Sequence, residues 1–261
     1  MRSIKSGKIV VKIGTNVVTS SNGMLDLDVM QDLVEQIAGI KAKGKDVLVI
    51  TSGAIGAGIK ELELSSRPKD VVMQQVCAAI GQGILMSTYH SFFSRHGIKV
   101  AQILLTYDVF KNRKTYKNLL NSLNRLLKLG VVPIINENDP ISIDEIGPSF
   151  GDNDNLSALI ASKMKADLLV MLTDVEGLYN KEPTQKNAVL IKEVADAGRI
   201  GKNISGVSNG LGTGGIKTKI MAAKMATEAG VFVVIANGKT VNILLKVMNN
   251  EDVGTVFYPK K

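Results

Sequence analysis

The chain has 261 residues, of which 45% are hydrophobic and 21% charged, so it can bury a sizeable core, and its composition excludes a disordered chain. Its formal net charge of +8 would suit nucleic acid, but aromatic residues make up only 4%, Trp is absent and the lysines are spread out, which favours a solvated basic surface that gathers anionic small molecules. The single cysteine, Cys77, cannot form an internal disulfide, and neither a signal peptide nor an apolar stretch of membrane-spanning length is expected, so we predict a soluble cytoplasmic protein.

Short β-branched segments alternate with longer helical patterns along the whole chain. The predicted strands are residues 9–13, 47–50, 99–105, 131–135, 168–172 and 232–235. The predicted helices are residues 27–42, 71–94, 115–129, 155–164 and 216–229, with glycines at 44, 97, 130 and 230 as stop signals. This alternation is typical of an α/β fold with a mainly parallel sheet and helices on both faces. Residues 141–149 and 191–210 interrupt the pattern and are predicted to form hairpins or flaps.

Polar motifs follow four of the predicted strands. They are Lys12-Ile13-Gly14-Thr15, Thr51-Ser52-Gly53-Ala54, Asn136-Glu137-Asn138-Asp139 and Thr173-Asp174. Ligands of open parallel sheets bind at the carboxyl ends of the strands, where loops meet helix N-termini. The four motifs are therefore expected to converge on one site.

A fifth polar motif precedes the predicted helix 155–164. Gly151 is followed by Asp152, Asn153, Asp154 and Asn155, two carboxylates and two carboxamides in a row. Such residues suit a polar site at a helix N-terminus, although Asp and Asn are also common there as helix caps. Both interpretations stay open for this motif.

Lys12 is unusual because it lies within the β-branched run of the first predicted strand. It could be a lysine that protects an edge strand, or it could point over the strand end at a phosphate. In the second case, which we favour, the Asp154 carboxylate would hold Lys12 and a second lysine from residues 212–219 around a transferring phosphoryl group.

Two glycine-rich segments, residues 51–58 and 212–219, could bring backbone N–H groups close to phosphates. Neither has the spacing of a Walker A loop or of a dinucleotide fingerprint, and each could simply be a tight turn. The two histidines, His90 and His96, flank a predicted helix end and do not suggest a catalytic base. No Cys and His pattern predicts a protein metal site.

Together these motifs resemble the glutamate 5-kinases of the amino acid kinase family, from about residue 8 to about residue 255. The resemblance implies ATP-dependent phosphorylation of the γ-carboxylate of L-glutamate, the first step of proline biosynthesis. It also implies a three-layer α/β/α sandwich around a mainly parallel eight-stranded sheet. The chain would be one amino acid kinase domain, 1–261, with a glutamate-binding half to about residue 165, an ATP-binding half from about 166, and no C-terminal PUA domain.

The resemblance assigns roles to the matching residues. Lys12 and Lys219 would stabilise the transferred phosphoryl group, with Asp154 as their organiser. Glutamate would contact Ser52, Asp139 and Asn153, with the hypothesis that Asp139 binds its ammonium and that Asn153 binds its α-carboxylate or other oxygens within reach of the amide. The implied ATP site comprises Lys12, Thr173, Asp174, Thr213, Gly214, Gly215, Ile216, Lys217, Thr218 and Lys219. Ile216 and Lys217 depart from the family pattern, which usually has methionine and a small polar residue there.

The resemblance further implies Mg²⁺ bound with ATP, and feedback inhibition by proline that competes with glutamate, through residues 107–118. A glutamyl phosphate reductase would use the product, and the protein would form a homodimer or homotetramer. Membranes are not expected as partners and nucleic acid is not favoured. The alternatives are an amino acid kinase acting on acetylglutamate, aspartate, carbamate or a nucleotide, a catalytically silent glutamate or proline sensor, and an RNA-binding protein.

Overall fold

The computed structural model describes residues 4, 6–20, 23–142, 153–200 and 215–260. Its strands are β1 (Lys8–Ile13), β2 (Asp46–Ile50), β3 (Val100–Leu105), β4 (Val132–Glu137), β5 (Leu168–Thr173), β6 (Glu193–Val194), β7 (Phe232–Asn237) and β8 (Thr255–Phe257). Its helices are α1 (Thr15–Val18), α2 (Leu27–Ala42), α3 (Ala54–Glu61), α4 (Val71–Ser94), α5 (Asp108–Lys111), α6 (Arg113–Lys128), α7 (Asn153–Lys163), α8 (Ile216–Glu228) and α9 (Ile243–Met248). Every strand and helix predicted from the sequence is present, with ends that shift by at most two residues.

The strands form one eight-stranded sheet in the order β3-β4-β2-β1-β5-β7-β8-β6. The neighbouring strands are parallel except for β7 and β8, which pair antiparallel. Strand β1 pairs with β2 on one side and β5 on the other, so it lies in the interior of the sheet. The chain completes one half of the sheet through β4 and then crosses β1 to begin the other half with β5, which places a topological switch point beside β1.

Two apolar cores, one on each face of the sheet, make the fold a three-layer sandwich. Side chains of a strand alternate between faces, and β1 sends Ile9, Val11 and Ile13 into the core shared with α2, α4 and α9. Val10 contacts the opposite core, which α6, α7 and α8 cover. Lys12 is two residues after Val10 in the strand, so its side chain points to the same face of the sheet, the one that α7 and α8 cover. The expected mainly parallel α/β/α sandwich is confirmed.

The main chains of helices α3 and α4 are in direct contact, because each helix has a glycine at the point where they cross. A Cβ on Gly58 would collide with the main chain of Cys77, and a Cβ on Gly81 would collide with the carbonyl oxygen of Ala54. The sequence had suggested a phosphate-cradling loop for residues 51–58, but residues from Ala54 onward are helical. The glycines at 58 and 81 therefore serve helix packing, which fixes the loop that carries Ser52.

Replacing Gly81 with alanine is expected to lower the free energy of unfolding by about 1–3 kcal/mol, as overpacking typically does. Gly83 is the matched control, because it lies in the same helix and a Cβ there meets nothing within 4 Å. Gly83→Ala should instead raise the free energy of unfolding by about 0.5–1 kcal/mol, the helix-propensity difference between the two residues. Urea denaturation of both variants measures this, and equal changes would contradict the packing role of Gly81.

The expectation that no apolar stretch reaches membrane-spanning length is wrong for α4 by length and composition. This helix has 24 residues and a mean hydropathy of 1.2 over its most apolar window, and it is the one such helix found in the described ranges. Its composition has a local cause: α4 places Leu85, Tyr89 and Phe93 in the core beneath the sheet and contacts α3 through glycine. It also carries Gln82, a buried polar residue of the site described below.

The remaining predicted segments have mixed outcomes. Most of the predicted flap 141–149 lies outside the described residues, as does 201–210 of the second flap. Before that gap, residues 191–200 contain β6 and a short 3₁₀ turn at Ala197–Arg199. Residues 107–118 form α5 and the start of α6, where the Asn112 side chain accepts hydrogen bonds from the backbone N–H groups of Lys114 and Thr115.

Candidate active site

The site is centred on a buried carboxylate between two buried lysines. Lys12 Nζ lies 2.7 Å from Asp154 Oδ1, and Lys219 Nζ lies 3.2 Å from Asp154 Oδ2. The Thr218 hydroxyl donates to the same Oδ2 at 3.0 Å. The structure therefore brings Lys12, Asp154 and Lys219 together from β1, α7 and α8. Because buried charges are costly to leave unpaired, the carboxylate holds both ammonium groups at fixed positions.

Two features of the fold place Lys12 in this position. Strand β1 is paired on both sides, which excludes the interpretation of Lys12 as an edge-strand lysine. The residue also lies one position from the carboxyl end of β1, on the face where α7 begins. A Cβ on Gly14 would lie 3.1 Å from the carbonyl oxygen of Leu172 and would occupy space in contact with Lys12 Nζ, at 3.7 Å.

The start of α8 distinguishes two lysines, either of which could contact a phosphate as far as the sequence shows. Lys219 is buried and paired with Asp154, whereas Lys217 is exposed. Gly215 caps the helix N-terminus and Ile216 lines a pocket beside Lys219. Of the ATP-site residues expected from the sequence, Thr213 and Gly214 lie outside the described residues.

Asn153, the residue before Asp154, is the centre of a buried hydrogen-bond network. Its Nδ2 donates to the Thr51 carbonyl oxygen at 2.8 Å, to Ser52 Oγ at 3.0 Å and to Asn136 Oδ1 at 2.9 Å. These contacts join the start of α7 to the carboxyl ends of β2 and β4. Asn153 and Asp154 lie within the first turn of α7, so the helix starts earlier than the sequence predicted.

A polar cleft of about 330 Å³ opens over this network. Ser52, Asp139 and Asn153 line it together with Asn136 and the first turn of α3. Two of its acceptor atoms, Asp139 Oδ1 and Asn153 Oδ1, are buried and have no hydrogen-bond partner within the described part of the chain. Because an unsatisfied buried acceptor costs about 1–3 kcal/mol, such atoms indicate a site for a hydrogen-bond donor.

A second pocket of about 180 Å³ lies beside Lys219. Thr173, Asp174, Ile216 and Lys219 line it, together with Tyr179 and other residues after β5. Burial opposes ionisation of Asp174, but hydrogen bonds from the Asn16 amide, its own backbone N–H and the Thr173 hydroxyl, with the Lys219 charge, outweigh it. The pKa of Asp174 is therefore below its ordinary value, and its carboxylate is ionised near neutral pH.

Two residues of the network, Gln82 and Tyr89, were not singled out from the sequence, and both contact residues of the motifs that were expected to converge on the site. Asn136 donates through Nδ2 to Gln82 Oε1 at 2.9 Å, and the Thr51 hydroxyl lies 2.8 Å from the Tyr89 hydroxyl. Burial raises the pKa of Tyr89 to about 12, so this phenol stays neutral. Gln82 and Tyr89 lie in the apolar pattern of α4, where a polar residue at a core position was the one available signal.

The described residues contain no group of three or more His, Cys, Asp or Glu side chains that could hold a metal ion. The carboxylate nearest the centre, Asp154, is committed to two lysines. A divalent cation bound to the phosphates of a nucleotide would fit these residues.

A sheet of this topology, with paired buried lysines between two pockets at the strand ends, defines a small-molecule kinase. The chain belongs to the amino acid kinase family, whose profile matches residues 7–237. It is 47% identical to the glutamate 5-kinase of Caldanaerobacter subterraneus over 97% of this chain and 68% of the relative, and 44% identical to that of Clostridium acetobutylicum over 97% and 95%. Its fold is similar to that of Giardia lamblia carbamate kinase bound to AMP-PNP, with a TM-score of 0.69, 16% identity, and coverage of 98% and 99%.

Proposed function

We propose that the protein transfers the γ-phosphoryl group of ATP to the γ-carboxylate of L-glutamate. The observation that carries this proposal is the position of the Lys12–Asp154–Lys219 cluster between two pockets. The polar cleft is lined by Asn153, the chain neighbour of Asp154, and the smaller pocket is lined by Lys219. A phosphoryl donor in one pocket and an acceptor in the other would meet at the two lysines. The glutamate 5-kinases reported above support the choice of glutamate as the acceptor.

The chemistry needs little from the protein beyond position and charge. A glutamate side chain has an ordinary pKa of about 4.3, so its carboxylate is a nucleophile near neutral pH without a general base. The carboxylate oxygen attacks the γ-phosphorus while the bond to the bridging oxygen of ADP breaks. Lys12 and Lys219 stabilise the charge on the transferred phosphoryl oxygens, and Asp154 keeps both lysines oriented. Mg²⁺ bound to ATP would neutralise its phosphates.

The cleft suggests how glutamate binds. The Asn153 amide gives its Nδ2 to three protein acceptors, so its oxygen is the atom left for a ligand. The Asn153 oxygen and the Asp139 carboxylate are both acceptors, and together they suit an ammonium group, which carries three N–H donors and a positive charge. We therefore place the substrate ammonium between Asp139 and Asn153, and this pairing replaces the α-carboxylate partner hypothesised for Asn153. Ser52, at the start of α3, is left to contact a substrate carboxylate.

Asp139→Asn is expected to raise the Michaelis constant for glutamate by about 10²-fold, the effect of losing a charge-assisted hydrogen bond worth roughly 1.5–3 kcal/mol. The Michaelis constant for ATP should stay within about twofold, because Asp139 lines the polar cleft and not the smaller pocket proposed for ATP. Steady-state kinetics with each substrate varied in turn measures both. An unchanged constant for glutamate would rule out this role of Asp139.

Hydroxylamine trapping of the acyl phosphate tests the function itself. Purified protein with ATP and Mg²⁺ should give hydroxamate from L-glutamate, and little or none from aspartate or N-acetylglutamate. Lys12→Ala should abolish the product. Hydroxamate from another acceptor would reassign the substrate, and no hydroxamate despite nucleotide binding would favour a sensor module.

The remaining parts of the proposal follow from the same function. The protein would work in the cytoplasm as a homodimer or homotetramer and pass its product to a reductase. Proline would inhibit it by competing with glutamate near residues 107–118. Neither a membrane nor a nucleic acid is part of this proposal.

A further inference from the structure

The amides beneath the polar cleft form a chain with one direction. Asn153 donates to Asn136, and Asn136 donates to Gln82, with N···O distances of 2.9 Å in both cases. All three side chains are buried, and Gln82 is only 7% exposed. In such a chain each amide can satisfy its neighbour only if all amides point the same way, because an amide presents an acceptor on one side and donors on the other.

The direction is fixed at the Thr51 end. The Thr51 carbonyl oxygen can only accept a hydrogen bond, so Asn153 must turn Nδ2 toward it and Oδ1 away from it. Asn136 must then present its oxygen to Asn153 and its nitrogen to Gln82. Gln82 ends the chain by presenting Oε1.

Gln82 does this at a cost to its own hydrogen bonding. Its Nε2 is buried without a hydrogen-bond partner among the residues that the structure describes. An apolar side chain of the same size would avoid this buried Nε2 but would leave Asn136 Nδ2 without its acceptor, so the use of a glutamine here lies in its contact with Asn136. An unsatisfied buried group in a native protein calls for an explanation, and the contact of Gln82 with the amide chain beneath the cleft supplies one.

We infer that Gln82 is a positioning residue for glutamate binding. It does not line the cleft. Its Oε1 holds the Asn136 amide, which in turn supports Asn153 in the orientation that leaves its buried Oδ1 to accept from the substrate ammonium. Gln82 thus helps the cleft to select an amine over an anionic or uncharged group. This inference rests on the proposed use of glutamate.

Gln82→Met keeps the size of the side chain and removes the acceptor for Asn136. Its expected effect is a rise of about tenfold in the Michaelis constant for glutamate, the size of one lost hydrogen bond. The value of kcat and the Michaelis constant for ATP should each stay within about twofold. Calorimetric titration with glutamate should show the same tenfold loss of affinity without turnover.

Gln36→Met is the matched control. Gln36 is a buried helical glutamine that does not line the cleft, and it donates to Asp32 and accepts from the backbone N–H of Leu244. This variant should lose stability and leave glutamate binding unchanged. Gln82→Glu, which again offers an oxygen to Asn136, should recover most of the lost affinity. If Gln82→Met does not fold, Gln82→Asn replaces it. This side chain is shorter by one methylene, so its oxygen moves away from Asn136, and the loss of glutamate affinity should be the same.

A lower melting temperature without any change in glutamate affinity in the Gln82 variants would overturn the inference, as would an equal loss of affinity in Gln36→Met. The proposed function is tested separately by hydroxamate formation in the unmodified protein. If the unmodified protein forms hydroxamate from glutamate but Gln82→Met binds glutamate normally, only the role of Gln82 falls. If the unmodified protein binds no glutamate, both fall.

Discussion

Lys219→Met should lower kcat for hydroxamate formation by about 10³-fold, the loss typical for a preorganised group that stabilises transition-state charge. Lys219 is the buried lysine of α8, and its Nζ lies 3.2 Å from Asp154. Methionine fills the same space without the charge. Because the positive charge acts on the transferred phosphoryl group, the Michaelis constant for glutamate should change much less than kcat. Single-turnover and steady-state assays with hydroxylamine measure the effect.

Lys217→Met is the matched control, because Lys217 lies two positions earlier in the same helix and is exposed. Its kcat should stay within about threefold, since exposed charges act weakly through water. If Lys217→Met lost activity and Lys219→Met did not, the phosphoryl-contacting lysine would be Lys217. The helix N-terminus would then have to turn relative to the structure described here.

Asp154→Asn should both unfold more easily and lose nearly all activity. Removing one partner of a buried ion pair costs about 3–5 kcal/mol, because the remaining charge is left buried. Here the change leaves Lys12 and Lys219 close together with an uncharged amide between them. We expect a fall in the free energy of unfolding of that size and a fall in kcat of about 10³-fold or more.

Urea denaturation and hydroxamate formation measure the two effects on the same protein sample. Asp252→Asn is the control, since Asp252 pairs with Lys192 at the surface with both side chains largely exposed. Such a pair is worth about 0–1 kcal/mol, so this variant should behave like the unmodified protein. An Asp154→Asn protein that kept full activity would exclude Asp154 as the organiser of the lysines.

The long elements of the sheet and its helices could be predicted because each is locally self-consistent. The buried parallel strands are continuous β-branched runs, and glycine with positive φ follows α2 and α6 at Gly44 and Gly130. The elements that the sequence missed are short. Strands β6 and β8 have two and three residues, and they exist because they pair with each other and β8 pairs with β7. Contacts of that kind leave no periodic pattern.

Helix α3 was missed for a different reason. Its sequence contains Gly56 and Gly58, which weaken an isolated helix by about 1 kcal/mol each and which read as a loop. Packing against α4 overrides that preference, because only glycine allows the main chains to approach so closely. Gly53 enters the helix with φ of 105°, a left-handed conformation that also favours glycine.

The part of the candidate site that could be predicted is the cluster of buried charges. A lysine in a central strand and a carboxylate at a helix start need buried partners, and the structure places them together. The orientation of the Asn153 amide was not predictable, since it depends on the Thr51 carbonyl, about one hundred residues earlier. Gln82 was missed because an isolated glutamine in an apolar helix gives no spacing signal.

The interior position of β1 has a consequence for synthesis on the ribosome. Strand β1 is made before the other strands of the sheet, but its second side can pair only after β5 has been made. Until α7 and α8 are also made, Lys12 has no Asp154 and Asp154 has no Lys219. Contacts of such long sequence separation form slowly. A nascent chain shorter than α8 is therefore expected to be inactive, and a stall before that point exposes half a sheet to the chaperones that bind apolar strands.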